Sequence, residues 1–413
     1  MKIVIIGDGK VGHKLTTQLS EEDYDITLID QNAGKLKAAL NNLDIFCING
    51  NGADAEVLKQ ADVPHADIVI ACTSTDEMNM ISCLLAKRLG AKHTIARVRN
   101  PLYYRQMELL KEDLHLSMAV NPELAAANEI SRMLLFPEAN KVESFMKGRV
   151  ELVEFPISET SPIVGLSLAE INKKYEFQIL VCAIKRGEQV YIPDGNFELK
   201  ARDEISIVGT PAKTIEFFKK LGVPTSSARD ALIVGGGRTS VYLAKQLLEM
   251  GIRVKIVERD EERCEELNEM VPKAMIICGD ATDKDLLIEE GLLETEAFVA
   301  TTNFDEENIM LALFAKSLSS AKLITKVHRI SYDDIIDQLD VGSIIYPKFI
   351  TSESIIKYVR AMKNSMGSNI ETLYRLNDNR VEALEFLIKE GSPVVGIPLQ
   401  DLCLKPKMLI GCI

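Results

Sequence analysis

Seven residues near the start of the chain have the types and spacing to hold a phosphate and a ribose. Gly7, Asp8, Gly9, Lys10, Val11 and Gly12 form a GxGxxG turn between an apolar run and a helical pattern, and Asp30 closes the next apolar run. The turn opens a helix whose first N–H groups and positive dipole end attract phosphate. Gly7 permits the tight bend, Gly9 lets a phosphate approach the backbone, and Gly12 lets the helix pack close to the strand. Asp30 is placed to bond ribose hydroxyls. Thr73 and Ser74 follow a later apolar run, and Arg97 closes another. At the carboxyl ends of strands they would lie on the same crevice, with Arg97 reaching phosphates or a second nucleoside. Thr73 and Ser74 could equally cap a helix, and Arg97 could serve a surface ion pair.

The constellation occurs twice. Ala231-Leu232-Ile233-Val234-Gly235-Gly236-Gly237 repeats the opening strand and turn, and Lys255-Ile256-Val257-Glu258 repeats the second strand with its acid. Gly235, Gly236, Gly237, Arg238 and Thr239 therefore form a second candidate phosphate turn, with Glu258 and Thr302 as its ribose and strand-end partners. Ser240 stands where the third glycine belongs, which costs close helix–strand packing without necessarily abolishing binding. Arg238 would either bind phosphate or point to solvent. Acids at Asp30 and Glu258 repel a 2′-phosphate, which favours NAD over NADP. An acid on the ribose suits ATP or ADP as well.

The elements that must position these residues follow from periodicity. Apolar runs at 3–6, 26–29, 45–48, 67–72, 95–98 and 116–120 read as strands separated by helical patterns. Pro122 opens a further helix to about Phe136, and its second-copy counterpart begins near Thr351-Ser352. Its apolar face (Leu124, Ile130, Leu134, Leu135) suits either a partner subunit or the core of its own chain. The pattern predicts a doubly wound parallel sheet of order 3-2-1-4-5-6. Short alternating strands then take over to about Gly222, with a helix around Leu168 to Ile171, and read as a small α+β module. The fold class expected is α/β: two doubly wound Rossmann domains in tandem, each followed by a small α+β domain, with boundaries at 1–137, 138–222, 223–366 and 367–413. Ser392-Pro393-Val394-Val395-Gly396 echoes Ser161-Pro162-Ile163-Val164-Gly165. The second small module is expected to stop in mid-strand, with Leu409 to Ile413 matching Leu180 to Ile184.

Composition narrows the function classes. The 413 residues are 46% hydrophobic and 26% charged, ordinary for a globular protein of several domains. A net charge of −13 argues against nucleic acid or an anionic membrane surface as a partner. No apolar run reaches membrane-helix length, and no secretory signal pattern precedes the first strand. The eight cysteines form no CxxC pair and read as reduced core residues, and the five histidines lack ligand spacing, so no metal is expected.

No nucleophile–base pair or carboxylate dyad stands at a recognisable spacing. A dehydrogenase would spend its second half on a substrate domain; here that half is another nucleotide fold. The reading favours a non-enzymatic sensor, with an NAD-dependent oxidoreductase of duplicated fold as the alternative.

The chain resembles the TrkA family of Trk potassium-uptake regulatory subunits. The likeness rests on Met1 to Gly12, Asp30, Thr73-Ser74-Thr75-Asp76-Glu77-Met78-Asn79-Met80, Ile95 to Arg99, Gly279-Asp280-Ala281-Thr282 and the duplicated order of large and small domains. The resemblance implies NAD(H), with ATP or ADP possible, in the Rossmann clefts. It places the cofactor contacts on Gly7 to Val11, Asp30, Thr73, Ser74 and Arg97, and in the second copy on Gly235 to Thr239, Glu258 and Thr302. It further implies a cytosolic homo-oligomeric ring, a dimer or tetramer of the two-repeat chain, docked under a potassium-translocating membrane subunit and gating its flux.

Overall fold

The chain opens with a strand whose four consecutive aliphatics are all buried, because both of its faces are covered. Side chains alternate across a strand: Ile3 and Ile5 enter one core and Val4 and Ile6 the other. The computed structural model describes residues 1–22, 24–135, 141–145, 150–187, 189–221, 228–328, 339, 341–365, 370–376, 381–386, 388, 392, 394–399, 402 and 408–411.

The first copy runs β1 (Lys2–Ile6), α1 (Lys10–Ser20), β2 (Asp25–Asp30), α2 (Ala33–Asn42), β3 (Phe46–Asn49), α3 (Ala55–Gln60), β4 (Ile68–Ala71), α4 (Asp76–Leu89), β5 (His93–Arg97), α5 (Pro101–Asp113), β6 (Met118–Val120) and α6 (Pro122–Leu135). The small module adds β7 (Lys141–Phe145), β8 (Val150–Pro156), α7 (Leu168–Tyr175), β9 (Leu180–Arg186), β10 (Gln189–Tyr191), β11 (Glu204–Gly209) and α8 (Pro211–Lys220). The second copy follows as β12 (Asp230–Val234), α9 (Arg238–Glu249), β13 (Arg253–Glu258), α10 (Glu261–Met270), β14 (Met275–Cys278), α11 (Lys284–Glu289), β15 (Ala297–Ala300), α12 (Asp305–Leu318), β16 (Lys322–Lys326), β17 (Ser343–Ile345) and α13 (Pro347–Ser365). A hairpin of β18 (Ile370–Leu376) and β19 (Val381–Phe386) comes last.

Both large sheets have the expected order, β3-β2-β1-β4-β5-β6 and β14-β13-β12-β15-β16-β17. All of their ladders are parallel. The order reverses between β1 and β4, and between β12 and β15, and each reversal leaves a crevice at the strands' carboxyl ends. The small module is an antiparallel sheet of order β10-β9-β11-β8-β7. Its core joins Val153, Phe155, Ile184, Ile205, Phe217 and Phe218, with Phe155 and Phe218 edge to face at 4.6 Å between ring centroids.

The chain divides into two compact units. One holds both parallel sheets (Met1–Ile130 with Asp230–Lys363), the other the small modules (Ser131–Arg229 with Asn364–Ile413). Within the first unit the last helices are exchanged between copies. Ile355, Ile356 and Val359 of α13 are buried in the core of the first copy beside Ile3, Leu15 and Leu19. Asn121 and Asn128, at and within α6, bond Tyr242 and Gln246 of α9 at 3.1 and 2.6 Å. Burying three branched aliphatics contributes about 1.5–3 kcal/mol each. Of the α6 face read from the sequence, Ile130 and Leu134 are buried within this chain.

Several elements depart from the sequence reading. Helices α5 and α8 and strand β7 were not expected, and α13 starts at Pro347 instead of Thr351. Leu409 to Gly411 lie in no strand, and 412–413 fall outside the described residues. Cys72, Cys83 and Cys264 are buried as expected, Cys47 and Cys182 are half-buried, and Cys278 is exposed; Cys403 and Cys412 lie outside the described residues.

Candidate nucleotide site

Each parallel sheet places a glycine turn, an acid and a strand-end threonine around its crevice. Gly7 and Gly235 adopt φ of +101° and +97°, a region open to glycine and strained for other residues. Gly12 is required by space: a Cβ there would lie 1.9 Å from the Gly7 carbonyl oxygen. The wall behind it is Cys72, whose thiol burial pushes up to about 12, so it packs as a neutral side chain. In the second copy Ser240 replaces this glycine and Thr301 replaces the cysteine. Ser240 Oγ donates to the Gly235 carbonyl and lies 2.9 Å from Thr301 Oγ1, which in turn donates to the Val234 carbonyl at 2.9 Å. Serine is thus accommodated by a buried hydroxyl pair.

The acids are locked to the turns. Asp30 Oδ2 accepts from the Asp8 N–H at 2.6 Å and Oδ1 from the Asn32 N–H at 2.7 Å. Glu258 Oε2 accepts from the Gly236 N–H at 2.6 Å, and Oε1 from Arg259 and Asp260 N–H groups at 2.8 and 3.0 Å. Each carboxylate keeps lone pairs for ribose hydroxyls. The helix starts suit an anion. The N-caps of α1 and α9 are Gly9 and Gly237, with no capping side chain and no acid in the first turn. By contrast α2, α3 and α10 are capped by Asn32, Asp54 and Asp260. The free N–H groups of α1 and α9 fit the phosphates of a nucleotide.

Strand-end residues complete the mouth. Asn79, fully buried on α4, accepts from Thr73 N and Thr73 Oγ1, both at 2.7 Å, and donates to the Arg97 carbonyl at 2.9 Å. Asn308 makes the same bridge from Thr302 N (2.8 Å) to the Lys326 carbonyl (2.9 Å). Thr73 therefore does not cap α4. Ser74 is exposed at the rim. Among the described residues Arg97 forms no surface pair: it donates to the Thr73 carbonyl, and its Nε is buried without a hydrogen-bond partner. That orphaned donor fits an anionic ligand. Lys10 and Arg238 project outward, while Val11 and Thr239 are buried and offer the crevice only their backbone.

The second crevice is a cavity of about 120 Å³ that brings together Gly235, Gly236, Gly237, Glu258 and Thr302, without Arg238 or Thr239. Its lining adds Arg259 and Phe304, which the sequence reading did not select. That reading also missed Asn79 and Asn308 as the residues that hold the threonines, although their matching positions in the repeat carried the signal.

Lys326, the counterpart of Arg97, is 5% exposed and donates to the Thr301 carbonyl at 2.6 Å. Burial pulls its ammonium down to about 8, with Glu123 and Asp305 opposing. The unfolded lysine, near 10.5, binds more protons over this range, so the contribution of Lys326 to stability, read as wild type minus variant, rises as pH climbs from about 8 to 10.5. The expected gain is about 3 kcal/mol. Chemical denaturation of wild type and Lys326→Met across this window checks it; an equal slope in the variant would assign the gain elsewhere.

The fold and the paired clefts define a tandem protein of dinucleotide-binding type. The TrkA-N domain family matches residues 3–122 and 231–347, and the TrkA-C domain family matches 152–222. This chain belongs to the TrkA family. It is 33% identical over 410 residues to the Trk system potassium uptake protein trkA homolog 1 of Methanosarcina mazei, covering 97% of this chain and 98% of the relative. It is 32% identical over 417 residues to Trk system potassium uptake protein TrkA of Vibrio alginolyticus, covering all of this chain and 90% of the relative. Among solved structures, the GsuK RCK domain shares its fold at a TM-score of 0.67 and 18% identity, covering 91% of this chain and 80% of that one. The GsuK channel bound to NAD matches at a TM-score of 0.68 and 18% identity, covering 91% and 66%.

Proposed function

We propose that this chain is a nucleotide-binding regulatory subunit of a potassium uptake system and carries no catalysis of its own. The observation that carries the reading is the paired arrangement of an uncapped helix N-terminus and an acid locked to the same turn. The ligands are NAD(H), with ATP or ADP as the alternative. In the first cleft the backbone of Gly7 to Gly12 takes the phosphates, Asp30 the ribose, and Thr73, Ser74 and Arg97 the opposite wall. In the second, Gly235 to Thr239, Glu258 and Thr302 take these roles. Relatives named for potassium uptake align along the full length, which supports this reading.

The partner is a potassium-translocating membrane subunit. Copies of this chain assemble as a homo-oligomeric ring, a dimer or tetramer, held peripherally on the cytoplasmic face by that partner. Among the described residues no helix is long and apolar enough to cross a membrane. Gating requires a ligand that favours one arrangement of the ring over another; equal affinity for both shifts nothing.

The test is calorimetric titration with NAD, NADH, ATP and ADP on wild type and Asp30→Ala. Removing an anionic acceptor is expected to weaken binding in the first cleft by about tenfold or more. No heat from any of the four would sink the nucleotide reading.

A further inference from the structure

The two clefts differ at the rim where a base would lie. Phosphate at Gly235 to Gly237 and ribose at Glu258 send the base outward past the end of β13. Arg259, the residue after the acid, stands there, and its guanidinium lies 5.8 Å from the centroid of the Phe304 ring. Both side chains line the same cavity as the glycine turn and Glu258. In the first copy the matching positions are Gln31 and Thr75, which offer neither a planar cation nor a ring.

Phe304 is costly where it stands. It occupies the N-cap of α12, a position that favours Ser, Thr, Asp or Asn, and makes no capping bond. It is also 54% exposed, so its ring recovers little from burial. A local rule broken without structural return marks a functional position.

We propose that Arg259 and Phe304 form a base clamp by which the second cleft grips the nucleotide base, so that it prefers nucleotides to sugar phosphates that lack one. The base inserts between guanidinium and ring, exchanging their mutual contact for one stack on each face. The first cleft lacks the clamp and depends more on phosphate and ribose. This inference rests on the nucleotide reading of the second cleft.

The chain contains no tryptophan, so Phe304→Trp installs a single fluorescent reporter at the clamp. ADP and NAD are expected to quench its emission saturably, and ribose 5-phosphate, which has no base, to leave it unchanged. Arg259→Ala in that background should weaken the response. In otherwise wild-type protein, Phe304→Ala should weaken ADP at the second cleft by about tenfold or more, with Phe304→Tyr restoring it. Calorimetric ADP binding at two sites with no fluorescence change, and with affinity unaltered in Phe304→Ala, would overturn the clamp and leave nucleotide binding standing. No calorimetric binding of ADP or NAD to wild type would remove both.

Discussion

Gly12→Val is expected to abolish nucleotide binding in the first cleft and to destabilise the first copy, while Ser240→Gly leaves the second cleft able to bind. A Cβ on Gly12 would meet the Gly7 carbonyl oxygen at 1.9 Å, with the Gly7 carbon and Cys72 Sγ each at 3.0 Å. Two of those three atoms are backbone, so no rotamer change relieves the clash. Either α1 lifts from β1, uncovering Val11, Leu15 and Leu19, or the turn rebuilds. Overpacking alone costs about 1–3 kcal/mol, and the loss of helix–strand packing adds to it. Either route scatters the N–H groups aimed at phosphate.

The second copy already has a side chain at this position, buried and bonded to Thr301. Ser240→Gly loses a buried hydroxyl pair and places glycine inside a helix, about 1 kcal/mol for each. Thermal unfolding and ADP titration of both variants check the contrast. A Gly12→Val protein that melts and binds like wild type would mean that the first turn is not built as described.

Much of this site is legible in the chain because each feature is local. A glycine turn, an acid at a strand end and a run of buried aliphatics are each declared within six residues, and the duplication states them twice. What escaped depends on partners distant in sequence. The apolar face of α13 announces burial but not that Ile355, Ile356 and Val359 enter the core of the other copy. Helix α5 exposes Leu102 and Leu109 (60% and 78%), which blurs its apolar period. Cys278 ends an apolar strand and reads as core, yet β14 is an edge strand with Met275 also exposed. Arg259 and Phe304 lie far apart in the chain and meet only across the crevice.

Asn79 is the clearest such case. A polar residue inside a helix pattern reads as surface, yet this one is fully buried and joins the ends of β4 and β5. Asn79→Leu keeps the volume and removes all three hydrogen bonds. The Thr73 N–H and the Arg97 carbonyl then lose their partner, at about 1–3 kcal/mol each, while the Thr73 hydroxyl still has the Thr75 carbonyl at 3.4 Å. A loss of about 3 kcal/mol or more is expected, along with a slack wall opposite Asp30 and weaker nucleotide binding in the first cleft. Asn79→Asp separates the two halves of the bridge. Its carboxylate still accepts from Thr73 but turns an oxygen toward the Arg97 carbonyl in a fully buried place, so its stability should fall at least as far as that of Asn79→Leu. The second cleft, held by Asn308, should keep its affinity in both variants. Denaturant unfolding combined with two-site calorimetry reads all of this. Full stability in Asn79→Leu would show that the strand ends hold without the bridge. Equal weakening of both clefts would show instead that the damage spreads beyond the wall that Asn79 supports.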